Sequence, residues 1–170
     1  MWNRLKVSLR LVLAATLACV PALAGSAVVG LVAGSLSARI EGQAVLPDML
    51  IFAHDRLQVK DGAAVVAVSN GSRIMLGRDT TAAFQRDTRA VTVVLSAGSV
   101  SLYHASDRVG LRVQAGSVMV EAAPGYKTLG EVTTMDGAVA VTARDGALRV
   151  NDGELTVEVA KVKTITVTQR

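Results

Sequence analysis

The chain has two histidines, and each has an aspartate close by: His54 beside Asp55, and His104 shortly before Asp107. A serine-type hydrolase needs a nucleophile, a base and an acid that orients the base. Neighbours on a strand point to opposite faces, so His54 and Asp55 make a poor dyad. No G-x-S-x-G elbow occurs either. Two histidines about fifty residues apart, with Cys19 as the single cysteine, do not fill a zinc site. The Asp-Gly pairs lack the dense acidic ligand set of a calcium loop. The sequence therefore leads us to expect no enzymatic activity, no metal and no cofactor.

Residue types suited to recognition are easier to find. Arg73, Arg78, Arg86 and Arg89 lie close in sequence and could gather into a patch for an acidic glycan or a protein partner. A solvated polar face is the plainer reading of the same four. The segment Ala123-Pro124-Gly125-Tyr126-Lys127 reads as a turn presenting a tyrosine, a residue type often used in contacts. Packing would explain Tyr126 equally well. The alternating run Thr156–Thr168 could leave a strand edge open for pairing.

These residues must be positioned by strands. From Gly25 onward apolar and polar residues alternate, and helical periodicity is almost absent. Strands are expected at Ala63–Val68, Arg73–Leu76, Ala90–Leu95, Val100–Tyr103, Leu111–Val113 and Val118–Glu121, then at Ala138–Thr142, Ala147–Val150, Leu155–Val159 and Thr164–Thr168. Asp61-Gly62, Asn70-Gly71, Asp136-Gly137, Asp145-Gly146 and Asp152-Gly153 read as hairpin turns, because these pairs tolerate positive φ. Ala-Gly-Ser before an apolar residue recurs at Ala33–Leu36, Ala97–Val100 and Ala115–Val118, at irregular spacing. Asp79–Asp87 reads as a loop or single turn, and Val45–Phe52 as an irregular edge. The fold class expected is all-β, with short antiparallel strands in a sandwich, a barrel or a short solenoid-like stack.

The first 24 residues have another character. Arg4, Lys6 and Arg10 precede an apolar run from Leu11 to Val20, then Pro21 and Ala22-Leu23-Ala24. Cationic stretch, apolar core, helix breaker and small-x-small site come in the order of a secretory signal cleaved after Ala24. An alternative stays open, since the uncharged run reaches Leu36 and is long enough for an uncleaved apolar helix anchored in the inner membrane. Lipidation at Cys19 fits poorly, its branched apolar neighbour standing one place too late. The formal charge of +4 comes mostly from this leader. Without its three cations, 15 basic residues face 14 acidic ones. With so few aromatics as well, no nucleic-acid partner is expected. Residues 25–170 remain as one β domain, with export to the periplasm or cell envelope as the expected location.

The stretch from Asp55 resembles the FecR domain family, periplasmic modules first associated with iron-siderophore signal transduction. The resemblance rests on Asp55-Arg56-Leu57-Gln58-Val59, then the strand Ala63–Val68, then Asn70-Gly71-Ser72 leading into Arg73-Ile74-Met75-Leu76. Leu95, Gly98 and Val100 follow in order, and Val32–Ser35 and Gly42–Ala44 resemble the run-in strands. It covers about residues 28–150 and is best at 53–103. His54 stands where the family has a glycine, and the later Gly-Thr motif is not recognisable, Gly130-Glu131-Val132 being nearest. The resemblance implies a non-enzymatic sensing or binding domain on the envelope side, with an envelope protein or glycan as partner. The short cationic stretch before the apolar run is too small to hold a sigma factor, so a separate partner is expected. The alternative is a structural surface component that self-associates through strand edges.

Overall fold

The computed structural model describes residues 26–68, 71–105, 108–125 and 127–169. The leader, its proposed N-terminal helix and Cys19 lie outside these residues, as do Asn70, Asp107 and Tyr126.

The described chain is strand and turn throughout. Its elements are β1 (Val28–Ile40), β2 (Gln43–Ala44), β3 (Leu50–Phe52), β4 (Arg56–Ala67) and β5 (Arg73–Leu76). Next come β6 (Thr80–Arg86), β7 (Ala90–Ala97), β8 (Ser99–His104), β9 (Gly110–Ala115) and β10 (Val118–Ala122). The last are β11 (Thr128–Met135), β12 (Ala138–Asp145), β13 (Ala147–Asn151), β14 (Thr156–Ala160) and β15 (Lys163–Thr168). The strands expected from alternation are all present, though several run longer than their alternating cores. The final residues of the uncharged run, Val28 to Leu36, belong to β1.

All strands join one sheet, ordered β14-β13-β10-β9-β7-β6-β4-β5-β8-β11-β12-β15, with β1 beside β4 and with β2 and β3 on β1. The sheet rolls over until one wall, β14-β13-β10-β9-β7, lies against the other, β5-β8-β11-β12-β15. Gly130 on β11 shows how tightly: a Cβ there would stand 2.5 Å from a methyl of Leu148 on β13. β4 turns the sheet from wall to wall. Arg56–Val59 pair with β6, whereas Ala64–Ala67 pair with β5. β1 follows β4 along its length, with register shifts near Ala33 and Ser37 that let it bend too. At the bend Gly62 is necessary, because a Cβ would stand 2.2 Å from the Leu36 carbonyl oxygen.

Between the walls lies one core of Val, Leu, Ile and Ala, with Phe84 its largest fully buried side chain. Strands supply alternate residues to it, such as Leu111, Val113 and Ala115 from β9. β7 differs, burying Ala90 to Val93 without interruption. It pairs in parallel with β9, and continuous burial is the habit of parallel strands.

Three expectations about turns and loops need correction. Asp61-Gly62 lies inside β4 and is no hairpin. Asp145-Gly146 joins β12 to β13, which do not pair, so it carries the chain from wall to wall. Asp136-Gly137 and Asp152-Gly153 do close hairpins, β11 on β12 and β13 on β14. Asp79–Asp87 is not a loop or single turn: after the turn residue Asp79 it holds the strand β6 (Thr80–Arg86). Its alternation is real, but Thr80, Ala82 and Phe84 carry it, and two of those have little hydropathy.

Candidate interaction surfaces

The two histidines do not meet. His54 sits in the β3–β4 turn, where its amide donates to the Phe84 carbonyl at 2.7 Å. His104 ends β8, opposite Thr128, with only 3% of its surface exposed. Since Tyr103 pairs with Arg73 and Arg73 with Ala67, His104 belongs to the far end of β4. Asp55 acts locally, its Oδ2 accepting the Phe52 amide at 2.8 Å and closing the turn. His54 itself has φ of +78°, a conformation that glycine adopts freely and side chains avoid. The resemblance implied a glycine at this position, and the positive φ is a backbone reason for one.

Nor do the four arginines form a patch. Arg73 and Arg86 stand at opposite ends of β4. Arg78 approaches exposed Asp61 at 4.0 Å. Arg86 donates to the carbonyls of Val28, at 2.9 Å, and Val29, at 3.3 Å, so it ties β1 to β6. Arg89 serves through its backbone: its amide and that of Ala90 donate to Asp87 Oδ1 at 2.6 and 2.7 Å. Those bonds, helped by the charges of Arg112 and Arg89, hold the Asp87 carboxyl below its usual range. Proximity in sequence failed because a hairpin and a wall change separate the four.

Sequence reading missed a row of charge that pairing creates. Arg112, Glu121 and Arg149 stand side by side on β9, β10 and β13, with Glu158 of β14 next in register. Glu121 accepts from Arg112 at 3.3 Å and from Arg149 at 3.4 Å, and Arg112 also reaches Asp87 at 3.7 Å. Arg112 and Glu121 face each other across one hairpin and Arg149 joins them from β13, so the grouping follows from register. The row lines a small groove of about 240 Å³ with Met119, Asn151 and Thr156.

A larger open groove, about 580 Å³, follows the bend where β1, β4 and β6 meet, with Arg39, Lys60, Asp61 and Asp79 along it. Mixed charge of this kind suits a polar or peptide surface more than an apolar ligand. Among the described residues, no three His, Cys, Asp or Glu side chains are grouped to hold a metal. No described helix is long and apolar enough to cross a membrane.

The third surface is the seam where the rolled sheet fails to close. β14 and β15 are its two ends, each hydrogen-bonded on one side only among the described residues. An open groove of about 590 Å³ runs between them, lined by Ser117, Asp152, Glu154, Val157 and Ile165–Thr168. The run Thr156–Thr168 thus does supply open edges. At its corner Lys161 Nζ lies 2.8 Å from Asp145 Oδ1, and this bond keeps the Asp145 carboxyl below its usual range.

Comparison with known proteins agrees with this architecture. Two crystal structures described as a putative anti-sigma factor from Parabacteroides distasonis align with a TM-score of 0.53 at 14% and 13% identity. Each alignment covers 67% of this chain, which spans 59% of that one. At such identity the likeness is one of fold. Among curated proteins none matches the chain. The model of the family described as FecR protein matches residues 55–163, from the turn-closing Asp55 to the start of β15. With most of its length so matched, the chain belongs to the FecR protein family.

Proposed function

We propose that the chain is a non-enzymatic sensing domain of the bacterial cell envelope, acting in signal transduction through contact with another envelope protein. The family match over residues 55–163 carries this reading. Fold likeness to a protein described as an anti-sigma factor supports a regulatory setting. Open grooves lined by mixed charge, rather than an enclosed cavity, suit recognition of a protein or glycan surface. The leader pattern in the first 24 residues supports export.

Fractionation of the native host, N-terminal sequencing and transcript profiling of a deletion strain together test the proposal. The expected result is protein in the envelope fraction, either starting at Gly25 or membrane-bound with Met1 intact, and a coherent change in one sigma factor's target genes. Cytoplasmic protein with an unprocessed start, or transcription unaltered by the deletion under every stress applied, would overturn it.

A further inference from the structure

We propose that β15 is a self-pairing edge through which two copies of this chain form an antiparallel dimer about a two-fold axis at Thr166. The proposal concerns the seam rather than the charged grooves invoked for sensing, and it stands whether or not the sensing role does.

The two free edges at the seam differ in how they are guarded. An exposed strand edge is a template for further pairing, and proteins blunt it with charge, proline, bulges or covering segments. β14 carries Glu158 on its outward face, beside Asp152 and Glu154 in the preceding turn. Pairing β14 with its own copy about its central residue would set Glu158 against Glu158, and like charges directly opposite are unfavourable. β15 carries charge only at its first residue, Lys163. Between Lys163 and Gln169 it reads Thr164-Ile165-Thr166-Val167-Thr168, every residue β-branched, with neither charge nor proline. Its pairing with β12 is regular from Ala138–Thr168 to Ala143–Lys163, without a bulge. Both ends are fixed, by the Val162 amide on the Ala143 carbonyl and the Gln169 amide on the Gly137 carbonyl. The edge is therefore held straight and available.

Its sequence is also self-complementary. Antiparallel pairing about Thr166 sets Thr166 against its own copy, Thr164 against Thr168, and Ile165 against Val167. The register about Ile165 keeps the same faces and overlaps β15 (Lys163–Thr168) equally, but it would set Lys163 against the apolar Val167, whereas the register about Thr166 sets it against the polar Gln169. Threonines then face threonines on the outer surface, a favourable cross-strand pair. On the inner surface the copy's Ile165 and Val167 extend over the mouth of the groove, toward Val157, which is 45% exposed. Lys163 falls opposite Gln169, so the register sets no like charges against each other. The wall β5-β8-β11-β12-β15 would continue across the axis into its copy.

The test uses the full-length chain in mild detergent, with Cys19→Ser as background so that introduced cysteines are the only thiols. Directly opposed residues lie about 4.5–5.5 Å apart between Cα atoms, within reach of a disulfide. Thr166→Cys should give a covalent dimer on mild oxidation. Thr164→Cys alone should not, its copy lying about 13 Å away along the strand. A mixture of Thr164→Cys and Thr168→Cys should cross-link again. Sedimentation should show a concentration-dependent dimer that Thr166→Lys abolishes while the β circular-dichroism signal persists. A monomer at all concentrations, open-ended polymers, or cross-linking that ignores register, as association through the N-terminal segment would give, each overturns the proposal.

Discussion

The two sides of the rolled sheet, the closed bend at β4 and the open seam between β14 and β15, differ in how they join the walls. At the closed side, β4 bends from wall to wall while β1 follows it, β6 buries Phe84 completely, and β7 buries the run Ala90–Val93 nearly so. At the seam, β14 and β15 leave Leu155, Val157 and Val162 at 66%, 45% and 80% exposure. Both sides are built from similar β-branched residues, so composition does not make the difference. It comes from neighbours: among the described residues β4 has strands on both sides, whereas β14 and β15 each have one. Stability should therefore be concentrated at the bend, leaving the seam free for recognition.

Truncation should show the contrast most directly. Phe84→Ala removes the largest fully buried side chain and should cost about 3–5 kcal/mol. Val157→Ala at the seam should change stability by about 0.5 kcal/mol or less. Urea unfolding of the two variants checks this, and equal losses would break the comparison. Next in size is Gly62→Ala. Its Cβ would stand 2.2 Å from the Leu36 carbonyl oxygen, so β1 and β4 must separate at the bend, at roughly 1–3 kcal/mol. Glycine at the open turn position 153 meets nothing within 4 Å and is the control for crowding, though its φ of +98° carries strain of its own.

The same contrast shows what the sequence could reveal. Strands such as Arg73–Leu76 and Ala147–Val150 were legible because alternation is a local property. β6 was not, because Thr80 and Ala82 are buried for reasons of contact rather than hydropathy. The Thr80 hydroxyl accepts the Ser99 amide at 3.0 Å and so fastens the wall-changing corner at Gly98. Asp-Gly pairs were recognised as special backbone, yet one lies within β4, two close hairpins and one changes walls. Local sequence tolerates positive φ without specifying whether the next strand pairs with the last. The charge row Arg112–Glu121–Arg149 and the scattering of the four arginines depend on which strands pair and in what register, which alternation does not specify. The less guarded edge was foreshadowed by the alternation of Thr156–Thr168, but its asymmetry required knowing that β14 and β15 have different partners.

The smallest effect expected is also the most informative about the seam, because it concerns the corner that positions β15. Asp145 and Lys161 lie on the two adjacent crossings between the walls, Asp145 at the end of β12 and Lys161 just after β14. Lys161 holds the Asp145 carboxyl below its ordinary value of 3.8, first through the side-chain hydrogen bond and then through its charge. A carboxyl whose folded pKa is depressed binds protons less readily folded than unfolded. Its contribution is thus fully present above the ordinary value and is lost as pH falls through the lower, folded value. Asp145→Asn should accordingly lower the melting temperature slightly at neutral pH, and the difference should vanish as the solution is acidified below 3.8. Both groups are exposed, so added salt should shrink the difference as well. If this corner also sets the direction of β15, Asp145→Asn should slow the Thr166→Cys cross-link at neutral pH more than Phe84→Ala does. The reverse order would mean that the edge is held by the core and not by its corner.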